Sequence, residues 1–213
     1  MTPTFFQIRL ILTLALISAG GILSGCLATN APDTKFYVLT PLGNAAALDA
    51  GSGSSGRLSV EVVSLRLPQY LERPQIVTRS SGNRLELAEF HQWGGNLGKD
   101  MARVLAKNLS RLLGTPNIAM APHRPLAPPD FRIDLEVMQF EKDYNGRVVL
   151  SVQWRLSRGS DQRLLEARIT DLASPAAIAE KDYERTVAAM SELFGELGKI
   201  IGEAILKAHG QAK

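Results

Sequence analysis

Two alternating segments separated by a tight turn constrain the fold of this chain most strongly. Residues 131–141 and residues 148–158 each alternate apolar and polar side chains, which is the period of a strand with one buried face. Asn145 and Gly146 lie between them, and this dipeptide is a strong short-range signal for a hairpin turn. The pattern therefore predicts a long antiparallel hairpin, and Trp154, inside its second strand, is expected in the core.

Shorter segments predict further strands on either side of this hairpin. Residues 57–67 alternate with a change of phase that indicates a bulge, and residues 75–79 and 84–88 are expected to pair around a four-residue turn. Residues 164–172 are expected to continue the meander after the long hairpin. Residues 179–186 are largely polar and suggest another edge element.

Two amphipathic helices are expected to cover the sheet. In residues 97–113 and residues 190–208, apolar side chains recur at intervals of three and four. Gly114, followed by Pro116, is expected to end the first helix. Two helices among six to eight strands predict a single α/β domain, in which the helices cover a mixed or largely antiparallel sheet.

The amino terminus has the pattern of an exported lipoprotein. Residues 1–9 carry one base and no acid, residues 10–17 are apolar, and the uncharged stretch is too short for a membrane-spanning helix. The sequence Leu-Ser-Gly-Cys at 23–26 resembles the bacterial lipobox, and Cys26 is the only cysteine of the chain. An ordinary cleaved signal with a chance cysteine is the alternative. We therefore predict a lipoprotein signal peptide over residues 1–25 and acylation of Cys26, while Leu27, rather than Asp, indicates sorting to the outer membrane.

The mature chain divides into a short tether and one domain. Residues 26–35 are expected to form a lipidated tether, and residues 36–213 the folded body, with a flexible low-complexity loop over residues 42–56. Loss of residues 1–25, whose only charged side chain is Arg9, brings the formal net charge from +3 to about +2. No basic stripe of the kind that nucleic acid requires is present, so no nucleic-acid partner is expected.

Several motifs follow one another in the order found in a known family. They are "KFYVLTP" at 35–41, "SLRLPQYLERPQIVTR" at 64–79, "EFHQWGGNL" at 89–97, "VLAKNLSRLLG" at 104–114 and "LSVQWRL" at 150–156. Together they resemble the PqiC (YmbA) family of auxiliary lipoproteins, which accompany ABC-type transport systems with MCE-domain proteins. The segment from Leu67 to Arg79 is the most specific part of this resemblance.

The resemblance implies a fold, a location and a partner. Its members are similar to small α/β domains of the TolB amino-terminal kind and lie on the periplasmic face of the outer membrane. Their partner is an MCE-domain protein that spans the periplasm, in systems associated with lipid or hydrophobic-molecule transport and with membrane integrity. A docking or auxiliary role is therefore expected, and a homo-oligomer that matches the ring-forming partner is plausible. An envelope structural or assembly lipoprotein without a transporter is the alternative.

The connection between the strands predicted over residues 57–67 and 75–79 supplies the candidate binding residues. Loops that carry aromatic and arginine side chains are common interaction surfaces. Tyr70 and Leu71 could instead fold back onto the core while Arg73 forms a local ion pair. Trp93, before the first helix, could fill the core or line an apolar groove. The candidate partner-binding residues are Pro68, Tyr70, Leu71, Arg73, Pro74 and Trp93.

The sequence offers no pattern for catalysis or metal binding. His91, His123 and His209 are scattered, without the paired spacing of metal ligands. The serine- and glycine-rich segments lack the strand–Ser–helix context of a hydrolase, and Gly94, Gly95 and Gly98 lack the lysine of a phosphate-binding loop. We expect no enzyme activity and no cofactor apart from the covalent lipid on Cys26.

Overall fold

The computed structural model describes residues 32–43, 48, 58–120 and 127–211, and its sheet is organised around one long strand. Strand β6, Phe131–Lys142, pairs with β7, Val148–Arg158, along its whole length. Gly146 in the intervening turn has a φ of 79°, which a glycine adopts without the steric penalty of a Cβ. The predicted hairpin is therefore confirmed.

The other strands extend from β6 on both sides. Strand β7 occupies one edge of β6 and pairs with β8, whereas β2 and β3 share the opposite edge, both parallel to β6. Beyond them, β5 pairs with β2, β4 with β3, and β1 with β4, so the eight-stranded sheet is mixed. The remaining strands are β1 (Lys35–Tyr37), β2 (Val60–Arg66), β3 (Gln75–Ser81), β4 (Arg84–Trp93), β5 (Ile118–Met120) and β8 (Leu164–Ala173).

The predicted irregularity in the first alternating segment is confirmed. The register of β2 against β6 shifts between Val62 and Ser64, so the side chains change faces at this point. A second shift, between Val137 and Gln139, changes the phase of β6 against β7. After this second bulge, Phe140 and Lys142 share the face of Val137 and Glu141 lies on the opposite face, and all three are buried because both faces of the sheet are covered here.

Two helices complete the single α/β domain. Helix α1, Leu97–Leu113, begins at Asn96, whose side chain accepts a hydrogen bond from the Lys99 N–H, and ends at Gly114 in a left-handed conformation. Helix α2, Tyr183–Gln211, is longer than predicted. The expectation of an edge element over residues 179–186 is wrong, because these residues form a turn and the first helical turn. Both helices share one hydrophobic core with β6 and β7, in which Trp154 is fully buried.

The chain segment that follows β1 is fastened to both helices. The backbone N–H groups of Leu39 and Leu42 donate to Asp100 and Asn108 of α1, at 2.9 and 2.8 Å, and that of Thr40 donates to Ser191 of α2 at 3.1 Å. Most of the loop predicted over residues 42–56 lies outside the described residues, as do the signal peptide and Cys26. No helix in the described part of the chain is both long and apolar enough to cross a membrane.

Candidate docking surface

The connection from Leu67 to Pro74 lies beside the middle of β6. Strands β2 and β3 pair with the first and last parts of the same edge of β6, and the connection bridges the gap that they leave. Pro68 has extended backbone angles and precedes a single 3-10 turn over Gln69–Leu71, in which the Leu71 N–H donates to the Pro68 carbonyl at 2.9 Å. Proline fixes φ, so this connection has few alternative conformations.

A buried charge network supports the connection from below. The Glu141 carboxylate is fully buried and accepts a hydrogen bond from the Tyr70 hydroxyl at 2.8 Å. The Arg79 guanidinium donates to the other carboxylate oxygen through Nε and Nη2, at 3.0 and 2.8 Å. The Phe140 N–H also donates to this side chain, at 3.0 Å. The connection, β3 and β6 are therefore joined at one carboxylate.

The electrostatics of this network favour a protonated Tyr70 and a charged Arg79. Burial, followed by the hydrogen bond to Glu141, raises the pKa of Tyr70 well above its ordinary value, so its phenol stays protonated and keeps donating. The hydrogen bond to Glu141 likewise raises the pKa of Arg79. The carboxylate is occupied by its donors and does not face an open cleft, so this arrangement supports the connection and is not suited to acid–base catalysis.

The predicted binding residues separate into buried and exposed groups. Leu71 and Trp93 are 2% and 5% exposed, so both belong to the core, and the Trp93 N–H donates to the Pro74 carbonyl at 2.7 Å. Tyr70 is half-buried and bonded to Glu141, as the fold-back interpretation expected. Arg73 and Pro74 are exposed.

The exposed part of the connection forms a small mixed surface. We call it the docking surface, and it consists of residues that are exposed on or beside the connection, namely Gln69, Glu72, Arg73, Pro74 and Met138. Within the part of the chain that the structure describes, neither Glu72 nor Arg73 forms an ion pair, so both charges are available to a partner. The local ion pair that the sequence suggested for Arg73 is thus not formed.

Sequence reasoning did not identify Glu141 and Arg79. The signal for Glu141 was the break in alternation at Met138 and Gln139, which puts Phe140 on the face of Val137 and the carboxylate on the opposite face, where Tyr70 and Arg79 reach it. Its partners lie 62 and 71 positions away along the chain, and only the parallel approach of β3 to β6 brings them together.

A second cluster joins the start of the domain to the start of α2. The Tyr37 hydroxyl lies 2.8 Å from Nδ1 of His91, and the His91 ring stacks on Tyr183 with a centroid distance of 4.1 Å. Burial, assisted by the charge of Lys35, lowers the pKa of His91 below its usual range. The neutral imidazole is therefore the form that this stack favours.

Protonation of His91 is expected to destabilise the domain. Because the pKa is lower in the folded than in the unfolded protein, the unfolded chain binds more protons in acid, and stability falls as the pH drops below about 6.5. His91→Gln removes this titration. Its free energy of unfolding, measured by urea titration between about pH 7 and pH 5, should depend less on pH than that of the natural protein, and equal slopes would contradict the expectation.

Metal chemistry finds no support in the described residues. No group of three or more His, Cys, Asp or Glu side chains within residues 32–43, 58–120 and 127–211 is arranged to hold a metal ion. His123 lies outside the described residues.

Comparisons with known proteins agree with this architecture. A family model described as "ABC-type transport auxiliary lipoprotein component" matches residues 37–202. The intermembrane transport lipoprotein PqiC of Escherichia coli K12 is 27% identical over 135 residues, which are 63% of this chain and 68% of that protein. PqiC of Shigella flexneri matches with the same values.

Solved structures share the fold. Protein XCC0632 from Xanthomonas campestris aligns with a TM-score of 0.68 at 15% identity, over 84% of this chain and all of that one. An uncharacterized protein aligns with a TM-score of 0.63 at 21% identity, over 82% of this chain and 99% of the other. At these identities the likeness concerns the fold alone.

Proposed function

The chain belongs to the family of ABC-type transport auxiliary lipoprotein components, and we propose that it is the docking subunit of a Pqi-like system on the periplasmic face of the outer membrane. Its partner would be an MCE-domain protein that spans the periplasm, and the cargo a lipid or another hydrophobic molecule. The family match over residues 37–202 is the observation that carries this proposal.

The mechanism is positional. Acyl chains on Cys26 would fix the protein to one membrane, since two or more chains hold far more firmly than the marginal binding of one. Fully extended, residues 27–35 reach at most about 30 Å, so the folded domain stays near the bilayer. A partner anchored in the opposite membrane would then be received at a fixed distance.

The docking surface suits this role because its backbone is already ordered. The two prolines and the Glu141 network restrict the connection before a partner arrives, so little conformational entropy is lost on binding. Its free charges, on Glu72 and Arg73, would provide the orientation that charged groups give to an interface. The ring-forming nature of MCE proteins favours a homo-oligomer of this chain as the receiving structure.

Exchange of two exposed charges tests the docking surface. The variant Glu72→Arg with Arg73→Glu keeps the net charge and touches no buried group, so folding should be unchanged. We expect recovery of the MCE protein in affinity purification from solubilised envelopes to fall about tenfold or more, because reversed charges at an interface cost more than about 1.4 kcal/mol. Tyr70→Ala is a poorer test, since it also removes one of the hydrogen-bond donors of the buried Glu141.

A matched variant controls for the altered charges. Glu196→Lys with Lys199→Glu exchanges the same two charge types on the exposed side of α2. It should leave recovery unchanged. If the natural protein recovers only cell-wall or outer-membrane assembly components, the proposal is overturned in favour of an envelope assembly role.

A further inference from the structure

A cavity of about 750 Å³ lies at the first end of β6, whereas the docking surface lies beside the middle of this strand. It is bounded by the first residue of β6, the turn between β7 and β8, and the last turns of α2. Phe131, in the cavity wall, and Met138, in the docking surface, are seven positions apart on one strand, which is about 23 Å. The cavity is therefore a separate site, and its volume is within the range of about 300–1,000 Å³ that is usual for small-molecule pockets.

The inner part of the cavity is apolar. Leu156 and Phe131 contribute from the sheet, where both are almost fully buried, and Leu165 contributes from β8. Ala204 and Ala208 face them from α2, and their small side chains leave the space open. An occupant of this part must be apolar, because the lining side chains here offer no hydrogen bonds.

The lining of the cavity carries a net positive charge. Lys207 and Arg163 both line it, and neither has an ion-pair partner among the described residues. Glu166 pairs with Arg168, and Arg158 pairs with Asp161. Asp130 accepts hydrogen bonds only from the neutral Ser59 N–H and hydroxyl and keeps its negative charge, so three basic and two acidic lining residues leave a net charge of +1.

One polar group in the wall is unsatisfied. The His209 ring stands edge-on to Phe131, with centroids 6.3 Å apart, and its Nε2 is buried without a hydrogen-bond partner. A buried polar atom without a partner costs about 1–3 kcal/mol. His209 follows Lys207 and Ala208 along α2, so this unsatisfied atom belongs to the same end of the helix as a cationic and an apolar lining residue.

We propose that this cavity binds an anionic amphiphile, a molecule with an aliphatic chain and a carboxylate or phosphate head. The chain lies along Leu156, Leu165 and Ala204, and the head lies between Arg163 and Lys207. The charge of the free cations and the apolar inner wall select this class over neutral lipids and over small polar anions. The site is distinct from the docking surface, so the two proposals stand or fall separately.

Photochemical labelling of the full lipoprotein in phosphatidylcholine vesicles tests the site. The probe is a long-chain fatty acid that carries a diazirine in its chain, and labelled peptides are identified by mass spectrometry. We expect label in the peptides that contain Leu165 and Ala204, about tenfold stronger than from a monoacylglycerol with the same diazirine chain. Unlabelled fatty acid and phosphatidic acid should both compete, since carboxylate and phosphate heads share this chemistry.

Two variants and a control complete the test. Arg163→Glu with Lys207→Glu should lower labelling about tenfold, and Ala204→Trp should block it by filling the cavity. Lys181→Glu with Lys199→Glu makes the same change of charge away from the cavity and should leave labelling unchanged. Thermal melting identifies any variant that fails to fold. If Ala204→Trp does not fold, the comparison of the Arg163 and Lys207 variant with its charge control decides the result.

Several results would overturn the inference. Equal labelling by the neutral probe, or labelling that survives the reversal of Arg163 and Lys207, would remove the role of the cations. If inorganic phosphate competed as strongly as fatty acid, the cavity would bind a simple anion and its apolar part would have no role in binding. Absence of label from these peptides would mean that another occupant, such as a second copy of the chain, fills the cavity.

Discussion

Glu141→Ala is expected to lower the free energy of unfolding by about 3–5 kcal/mol, because it leaves the partly buried Arg79 guanidinium and the Tyr70 hydroxyl without their acceptor. The Arg79 charge that remains without a partner accounts for the larger part of this effect. The attraction within the intact pair mostly offsets the cost of removing its two charges from water. Chemical denaturation monitored by circular dichroism measures the change.

A double-mutant cycle separates the ion pair from the packing around it. Glu141→Leu and Arg79→Met should each be strongly destabilising, whereas the double variant, in which no unpaired charge remains, should recover much of the loss. Glu136→Ala serves as the control. Glu136 lies on β6, as Glu141 does, but it forms an exposed ion pair with Arg66 of β2, so its loss should change the free energy of unfolding by less than about 1 kcal/mol. Additive effects in the cycle would show that the carboxylate and the guanidinium are not coupled.

Cys26→Ala is expected to change the location and the mass of the protein completely. The thiol is the acceptor of the first lipid group in the lipobox signal, and cleavage follows acylation, so the variant should keep residues 1–25 and stay with the inner membrane. The natural protein should begin at Cys26, carry acyl chains and fractionate with the outer membrane. Intact-mass spectrometry of the separated membrane fractions measures both properties.

The neighbouring position separates anchoring from sorting. Leu27→Asp should leave acylation and cleavage intact and move the protein to the inner-membrane fraction. A natural protein that is unacylated and free in the soluble periplasm would contradict the anchor. An acylated Leu27→Asp variant that still reaches the outer membrane would contradict only the sorting expectation.

Local sequence signals were sufficient for most elements of the fold. The hairpin around Gly146 and the helix between Asn96 and Gly114 each carry both periodicity and end signals, so their bounds were predicted within one or two residues. The beginning of α2 was missed because three of the four residues in its first turn, Tyr183–Thr186, are polar. Asp182, whose side chain accepts from the Arg185 N–H, is the capping signal that could have located it.

The candidate sites were less accessible to sequence reasoning because they depend on distant parts of the chain. The prolines of the connection identified it as unusual, but which of its side chains are exposed depends on β6, which follows much later. The cavity is made by three separate segments, and its alanines are indistinguishable in the sequence from those of any tightly packed helix. The exposure of the connection's side chains and the existence of the cavity both depend on contacts between distant parts of the chain, which local preference does not reveal.

The fastening of residues 39–42 to both helices has a mechanical consequence. In the proposed role, tension between the two membranes would act on the lipid-bearing end of the protein and would enter the domain at β1. There it meets the pairing with β4, and then the bonds to Asp100, Ser191 and Asn108, which belong to two different helices. Force is thus distributed over the body of the domain before the chain can peel away, so the subunit can act as a link under load.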